Sequence, residues 1–154
     1  MISRPTTDQV ILDCRRELLE VIRPAVSDPS VLVAIDMLEN VLRNAATRAA
    51  NEIAWMTEET TAIEEYSREV LRVVGGDTAL AAALADLDVV PRHSLQLGAV
   101  VTAYSAAGEA FSCALEAAIA AGRSDWQDRG VALLNQRTER EQEVKGEWLM
   151  TGRG

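Results

Sequence analysis

Residues 28–56 read DPSVLVAIDMLENVLRNAATRAANEIAWM, and this stretch decides the fold. Asp28 is followed by a proline, which is the typical pairing of an N-cap with the first position of a helix. No glycine or second proline follows before Met56, and apolar residues recur at helical spacing. Eight of them form the predicted core face: Val31, Ile35, Leu38, Leu42, Ala45, Ala49, Ile53 and Met56. The stretch therefore predicts one long α-helix.

The other periodic segments also have helical spacing, and alternating β-branched runs are missing. A first helix begins after Thr6 and stops at Pro24. A third begins near Thr60-Thr61, unless it continues the second, and ends at Gly75-Gly76. Further helices are predicted at 77–87 with Asp77 as the cap, at 94–122 with Ser94 as the cap, and at 126–149, before a frayed tail at 150–154. The sequence therefore predicts an all-α fold, a single domain over 1–154 built as a bundle of five or six mostly antiparallel helices with a long second helix.

The charge balance narrows the range of partners. Fifteen basic residues against 24 acidic ones give the chain a net charge of −9. Nucleic acid and an anionic membrane surface would repel such a protein, so we expect neither as a partner. Two cysteines, Cys14 and Cys113, cannot form a disulfide framework, and Cys14 lies in an apolar stripe where we expect core packing. With no basic leader and no apolar run of about 20 residues, the sequence predicts a cytoplasmic protein.

The helix predicted at 94–122 carries a seam of small and acidic residues at spacings of three and four. The seam consists of Gly98, Thr102, Ser105, Glu109, Ser112 and Glu116. Bulky apolar residues such as Leu97, Val101 and Ile119 lie on another face, and the rest is nearly all alanine. Two interpretations are open: the seam lines a polar cleft, or its small residues permit close helix packing while the glutamates reach solvent or an arginine.

The long second helix offers a flank that matches this seam. Arg48 and Glu52 lie there in an apolar neighbourhood, close along the helix to Trp55. They could pair with the glutamates as a structural network, or Arg48 could hold the anionic group of a ligand. The candidate ligand-binding residues are Arg48, Glu52, Trp55, Tyr104, Glu109 and Glu116. Their meeting in one cleft depends on how the helices are arranged.

The last predicted helix differs from the others because it is highly charged and has a narrow apolar stripe. The stripe consists of Trp126, Leu133, Val144 and Trp148. It is typical either of a solvated helix packed along one edge or of an arm that binds a partner, since tryptophan is enriched at binding hot spots. These four residues are therefore the candidate interaction residues.

Signals of catalysis or metal binding are few. Glu17, Glu20, Asp36 and Glu39 have a spacing similar to the acidic pairs of MazG-type nucleotide pyrophosphatases, in which carboxylates hold Mg²⁺. The second pair is in reversed order, and the first points away from the apolar stripe of its helix. His93 is the only histidine, which excludes di-iron and multi-histidine zinc sites. We therefore expect no catalytic residue, no metal and no cofactor.

Three stretches carry a resemblance to a known domain: 4–25, 38–52 and 117–125. Together they resemble a bacterial helical domain of unknown function that occurs beside, or fused behind, aminoglycoside-phosphotransferase-like kinases, often near acyl-CoA dehydrogenases. The resemblance covers most of residues 4–125 and brings no established catalytic residues. It implies a cytosolic accessory protein that works with a kinase-like or acyl-CoA-metabolising enzyme.

Three functions follow from the sequence. The first is a non-catalytic helical interaction or accessory protein that forms a homo-oligomer or binds a protein partner. The second is a small-molecule binder with a polar cleft between the second and fifth predicted helices. The third is a Mg²⁺-dependent nucleotide pyrophosphohydrolase.

Overall fold

A computed structural model describes residues 4–91 and 94–145, and these residues form five α-helices and no strand. The helices are α1 (Thr7–Glu17), α2 (Pro29–Val74), α3 (Thr78–Asp88), α4 (Leu97–Ala120) and α5 (Ser124–Lys145). After α1 the chain continues through a π-helical turn, Leu18–Ile22, and a 3₁₀ turn, Arg23–Ala25. The predicted all-α class and the long second helix are confirmed.

The second and third predicted helices are one continuous helix of 46 residues. Thr60 and Thr61 lie inside this helix and do not begin a new one. The hydroxyl of Thr61 donates to the carbonyl of Thr57, four residues earlier, at 3.0 Å. Threonine can make this bond without interrupting a helix. The absence of any glycine or proline from Ser30 to Val74 explains why α2 does not break.

Local capping signals set most of the helix ends. Asp77 accepts a hydrogen bond from the backbone N–H of Leu80 at 2.9 Å and caps α3, as predicted. Gly75 and Gly76 follow α2 with φ angles of +68° and +72°, a conformation that other residues rarely adopt. Ser94 was the predicted cap of α4, but Gln96 occupies that position, and Ser94 instead accepts a bond from the N–H of Gln96 at 3.2 Å.

The chain forms two compact units, Met1–Glu52 with Arg140–Gly154, and Ile53–Glu139. In the first unit, an ion pair from Arg15 to Glu39, at 2.6 Å, links α1 to α2, and one from Arg23 to Asp36, at 3.0 Å, links the 3₁₀ turn to α2. Its described part buries few apolar side chains: Leu18, Ile35 and Ala46. The exposed position of Cys14 is contrary to the predicted core packing, because α1 buries none of its residues. The single domain predicted over 1–154 stays a prediction.

In the second unit, the later part of α2, the whole of α3 and α4, and the earlier part of α5 pack around a dense core. The core consists of Ile63, Tyr66, Val70, Leu80, Ala83, Leu84, Leu87, Ala107, Ala110, Phe111, Ala114, Ala117, Ala118 and Trp126. The alanine face of α4 is buried, and three of its bulky residues, Leu97, Val101 and Ile119, are exposed. Alanine lets helix backbones approach closely, so this face can serve as the packing surface.

Within the part of the chain that the structure describes, no helix has both the length and the apolarity that a membrane crossing requires.

Candidate functional site

A cleft of about 240 Å³ lies within the second unit, between the later part of α2, α4 and α5. Its apolar lining consists of Ile63, Phe111, Leu115, Leu133 and Leu134. The polar side chains that line it are those of Glu59, Tyr104, Ser112 and Arg137. An apolar wall with a few polar groups is the usual composition of a small-molecule site.

Three of these polar residues form a connected cluster. The hydroxyl of Tyr104 donates to Glu59 Oε1 at 2.9 Å. Arg137 Nε lies 4.0 Å from the same carboxylate oxygen, and its guanidinium lies 5.6 Å from the centre of the Tyr104 ring. The Glu59 side chain is 14% exposed, whereas that of Arg137 is 48% exposed. The carboxylate is therefore the inner member of the cluster and the guanidinium the outer one.

One wall of the cleft lacks a side chain at Gly108. A Cβ atom placed there would meet no other atom within 4 Å. Ser112, one turn later, donates its hydroxyl to the carbonyl of Gly108 at 3.1 Å. The hydroxyl is thereby bonded within its own helix.

The start of α5 is fixed to α2 beside this cleft. The buried hydroxyl of Tyr66 donates to the carbonyl of Trp126 at 2.9 Å, and the rings of these two residues lie 6.1 Å apart. Arg129 stacks over the Trp126 ring at 4.2 Å and pairs with Glu69 at 2.8 Å. Burial raises the pKa of Tyr66, which the charge of Arg129 partly offsets. These contacts position Leu133 and Arg137, further along α5, at the cleft.

The candidate interaction residues on α5 have different surroundings. Trp126 is buried in the core of the second unit, and Leu133 packs against that core and lines the cleft. Val144 is half-buried. Trp148 lies outside the described residues, as do His93 and the predicted tail at 150–154. The side chains of Trp126 and Leu133 are therefore engaged within the chain, and a partner-binding role for this helix stays a prediction.

Of the candidate ligand-binding residues, Tyr104 lines the cleft. Arg48 and Glu52 belong to the first unit and form an ion pair along α2 at 4.0 Å. Trp55 is half-buried, and Glu109 and Glu116 are exposed.

The seam on α4 is exposed along its whole length. Its six residues, Gly98, Thr102, Ser105, Glu109, Ser112 and Glu116, are all exposed. Glu109 and Glu116 act electrostatically on Cys113, whose pKa is raised first by burial and then by these two carboxylates. Of the sequence alternatives, solvent exposure of the glutamates agrees with these positions.

The sequence analysis did not identify Glu59 and Arg137 as site residues. Glu59 lies in a run of polar residues, and Arg137 lies among other charges on α5. The only signal that could have singled out Arg137 was its spacing from Leu133 and Leu134, which places it beside an apolar edge. No local pattern indicates that Tyr104, which is 45 residues from Glu59 along the chain, bonds to it.

The acidic residues considered for Mg²⁺ are arranged differently from a metal site. Asp36 and Glu39 pair with Arg23 and Arg15. Glu17 and Glu20 are exposed. Among the described residues, no group of three or more His, Cys, Asp or Glu side chains could hold a metal ion.

A second surface feature lies on the first unit. Five large apolar residues of α2 are exposed, each by between 43% and 66%. They are Val31, Val33, Met37, Leu38 and Val41, and they are called the α2 face below. Their spacing places them on one half of the helix circumference, opposite the side on which Glu39 pairs with Arg15 of α1.

Comparison with models of protein families, with curated proteins and with solved structures found no match.

Proposed function

We propose that the protein is a helical interaction protein that associates with a second copy of itself through the α2 face. The observation that carries this proposal is the row of large apolar side chains exposed on one side of α2. Together they expose on the order of 400 Å² of apolar surface, comparable to the largest patch on a typical monomer, which is often functional. This is about half of the area that each partner buries in an interface of standard size.

The sparse interior of the first unit supports the same proposal. Its described residues bury few apolar side chains, whereas those of the second unit form a large core. A helical unit gains stability by burying its apolar stripe, and a second copy would supply the missing cover.

Charge favours a second copy over a highly charged partner. The α2 face itself consists only of uncharged side chains, and the nearby Asp36 and Glu39 are paired with Arg23 of the 3₁₀ turn and Arg15 of α1. Two chains of net charge −9 repel each other at long range. A contact surface without charged side chains adds no further repulsion to their association.

The pattern along α2 is also compatible with a two-fold axis. If two copies cross antiparallel with the axis between Met37 and Leu38, Val41 of one copy lies opposite the partner's Ala34, so that a large residue meets a small one. The same register brings Arg48 near the partner's Asp28. The hydroxyl and the backbone N–H of Ser30 both donate to Asp28 Oδ1, which lowers the pKa of Asp28 and keeps it charged.

The test is the molar mass of the full chain in solution, measured by sedimentation equilibrium. We expect a dimer for the unmodified protein and a monomer for Val41→Glu, because the substitution would bury two unpaired carboxylates close to the axis. Ile119→Glu is the matched control, since Ile119 is 61% exposed on α4, outside the α2 face, and it should leave the dimer intact. Circular dichroism checks that both variants fold. A monomeric unmodified protein, or a dimer that survives Val41→Glu, would refute the proposal.

The cytoplasmic location and the kinase-like or acyl-CoA-metabolising partner that the resemblance implies belong to this proposal as predictions. A dimeric accessory protein would present any such partner with two copies of its binding surface.

A further inference from the structure

We infer that the cleft in the second unit binds a small carboxylate with an apolar tail of about six to eight carbons. This inference goes beyond self-association and is independent of it. The cleft is built entirely from Ile53–Glu139, whereas the α2 face lies in the other unit.

The size and lining of the cleft define the tail. An engineered apolar cavity of about 150 Å³ binds benzene, so a cleft of about 240 Å³ has room for on the order of ten non-hydrogen atoms. Five aliphatic or aromatic side chains line it. A ligand that fills this space therefore needs a short apolar chain and one small polar head.

The polar cluster defines the head. Glu59 accepts the Tyr104 hydroxyl at 2.9 Å, and its Oε1 lies 4.0 Å from Nε of Arg137. The guanidinium is the more exposed group, and stacking over the Tyr104 ring holds it in position. A guanidinium has five N–H donors and can bind several acceptors at once, including a carboxylate in bidentate fashion. An anionic head is therefore expected at Arg137.

Gly108 lines the cleft and adds no side chain to it. Glycine in the interior of a helix is less favourable than alanine by about 1 kcal/mol, and no neighbouring atom would prevent a Cβ at this position. The absence of a side chain leaves room above Phe111 and Ser112, where the tail would lie. The wall remains apolar because the Ser112 hydroxyl is bonded to the carbonyl of Gly108.

The experiment is isothermal titration calorimetry of the full chain with three probes of eight carbons each: octanoate, 1-octanol and octylamine. We expect octanoate to bind most tightly. Arg137→Gln should weaken octanoate by at least tenfold, because charge-assisted hydrogen bonds are lost, and should leave octanol nearly unchanged. Equal affinity for octanol and octanoate, or a preference for octylamine, would overturn the anionic head.

A second pair of variants tests the position of the tail. Gly108→Leu would fill the cleft from the α4 wall and should abolish binding of both octanoate and octanol. Ser105→Leu places the same side chain at an exposed position of α4 outside the lining, and it should bind octanoate normally. Circular dichroism confirms that each variant folds. No binding of octanoate to the unmodified chain, or unchanged affinity in Gly108→Leu, would refute the inference whether or not the protein dimerises.

Discussion

Replacing Gly130 by alanine should destabilise the protein, although alanine is the better helix former. Gly130 is buried in α5 where the helix crosses α2 and α4. A Cβ placed there would lie 2.4 Å from Leu115 Cδ2 and 2.8 Å from the Tyr66 hydroxyl. Leu115 can rotate its terminal methyl group away. Tyr66 cannot move easily, because its hydroxyl bonds to the Trp126 carbonyl and its ring lies against Phe111 and Trp126.

The magnitude follows from opposing effects. The substitution gains about 1 kcal/mol of helix propensity. Overpacking a fixed core costs about 1–3 kcal/mol, and displacing the Tyr66 hydroxyl forfeits a hydrogen bond of about 1 kcal/mol. We expect a net loss of about 2 kcal/mol in the free energy of unfolding, which for a chain of this size lowers Tm by about 4–8 °C.

Urea unfolding followed by circular dichroism at one fixed protein concentration measures this loss. Gly108→Ala is the matched control, because Gly108 is also inside a helix but a Cβ there meets open space. The control should raise the free energy of unfolding by about 1 kcal/mol. If both variants change stability in the same direction and by similar amounts, the close packing of α5 on Tyr66 is refuted.

Two further predictions concern buried hydroxyls of α2. Burial raises the pKa of Tyr66 above its ordinary value of 10.0, so the folded chain holds the phenol proton more tightly, and this stabilisation is lost as the pH rises above 10.0. Tyr66→Phe should lower the free energy of unfolding by about 1 kcal/mol at pH 7, because it removes the hydrogen bond of the hydroxyl. In urea titrations between pH 9 and 11, the variant should lose less stability than the unmodified protein. A parallel decline of the free energy of unfolding in both proteins would contradict this. Ser67 is fully buried, and its hydroxyl finds no hydrogen-bond partner among the described residues. Ser67→Ala should raise the free energy of unfolding by about 1 kcal/mol more than the exposed control Ser105→Ala, and an equal effect of the two would show that the buried hydroxyl is satisfied.

Much of the fold could be predicted because its signals are local. Asp77 caps α3, and Gly75-Gly76 ends α2, because each acts on a backbone group within a few residues of itself. The predicted cap of α4, Ser94, lies two residues before the observed cap, Gln96, because Ser94 can accept a bond from the N–H of Gln96 without entering the helix. The sequence does not decide whether α2 continues through Thr60, because a threonine hydroxyl can either cap a helix or bond to the preceding turn.

The buried faces were less predictable. The spacing along α2 predicts that the stripe that includes Val31 and Leu38 is part of the core. Both residues are exposed, and Ala46 is buried instead. Periodicity identifies an apolar stripe but does not say which neighbour covers it. On α4, the packing surface combines small alanine side chains, which allow close approach, with Val100 and Phe111, whereas Leu97, Val101 and Ile119 are exposed.

The sequence by itself determined the all-α class, the long second helix and most helix ends, because propensity, capping and glycine conformation act within a turn or two of the chain. The tertiary structure alone decided that Glu59, Tyr104 and Arg137 form one cluster. It also decided that Gly130 must lack a side chain and that the described residues leave the α2 face exposed. Each of these depends on residues from different helices, and helix packing sets their distances.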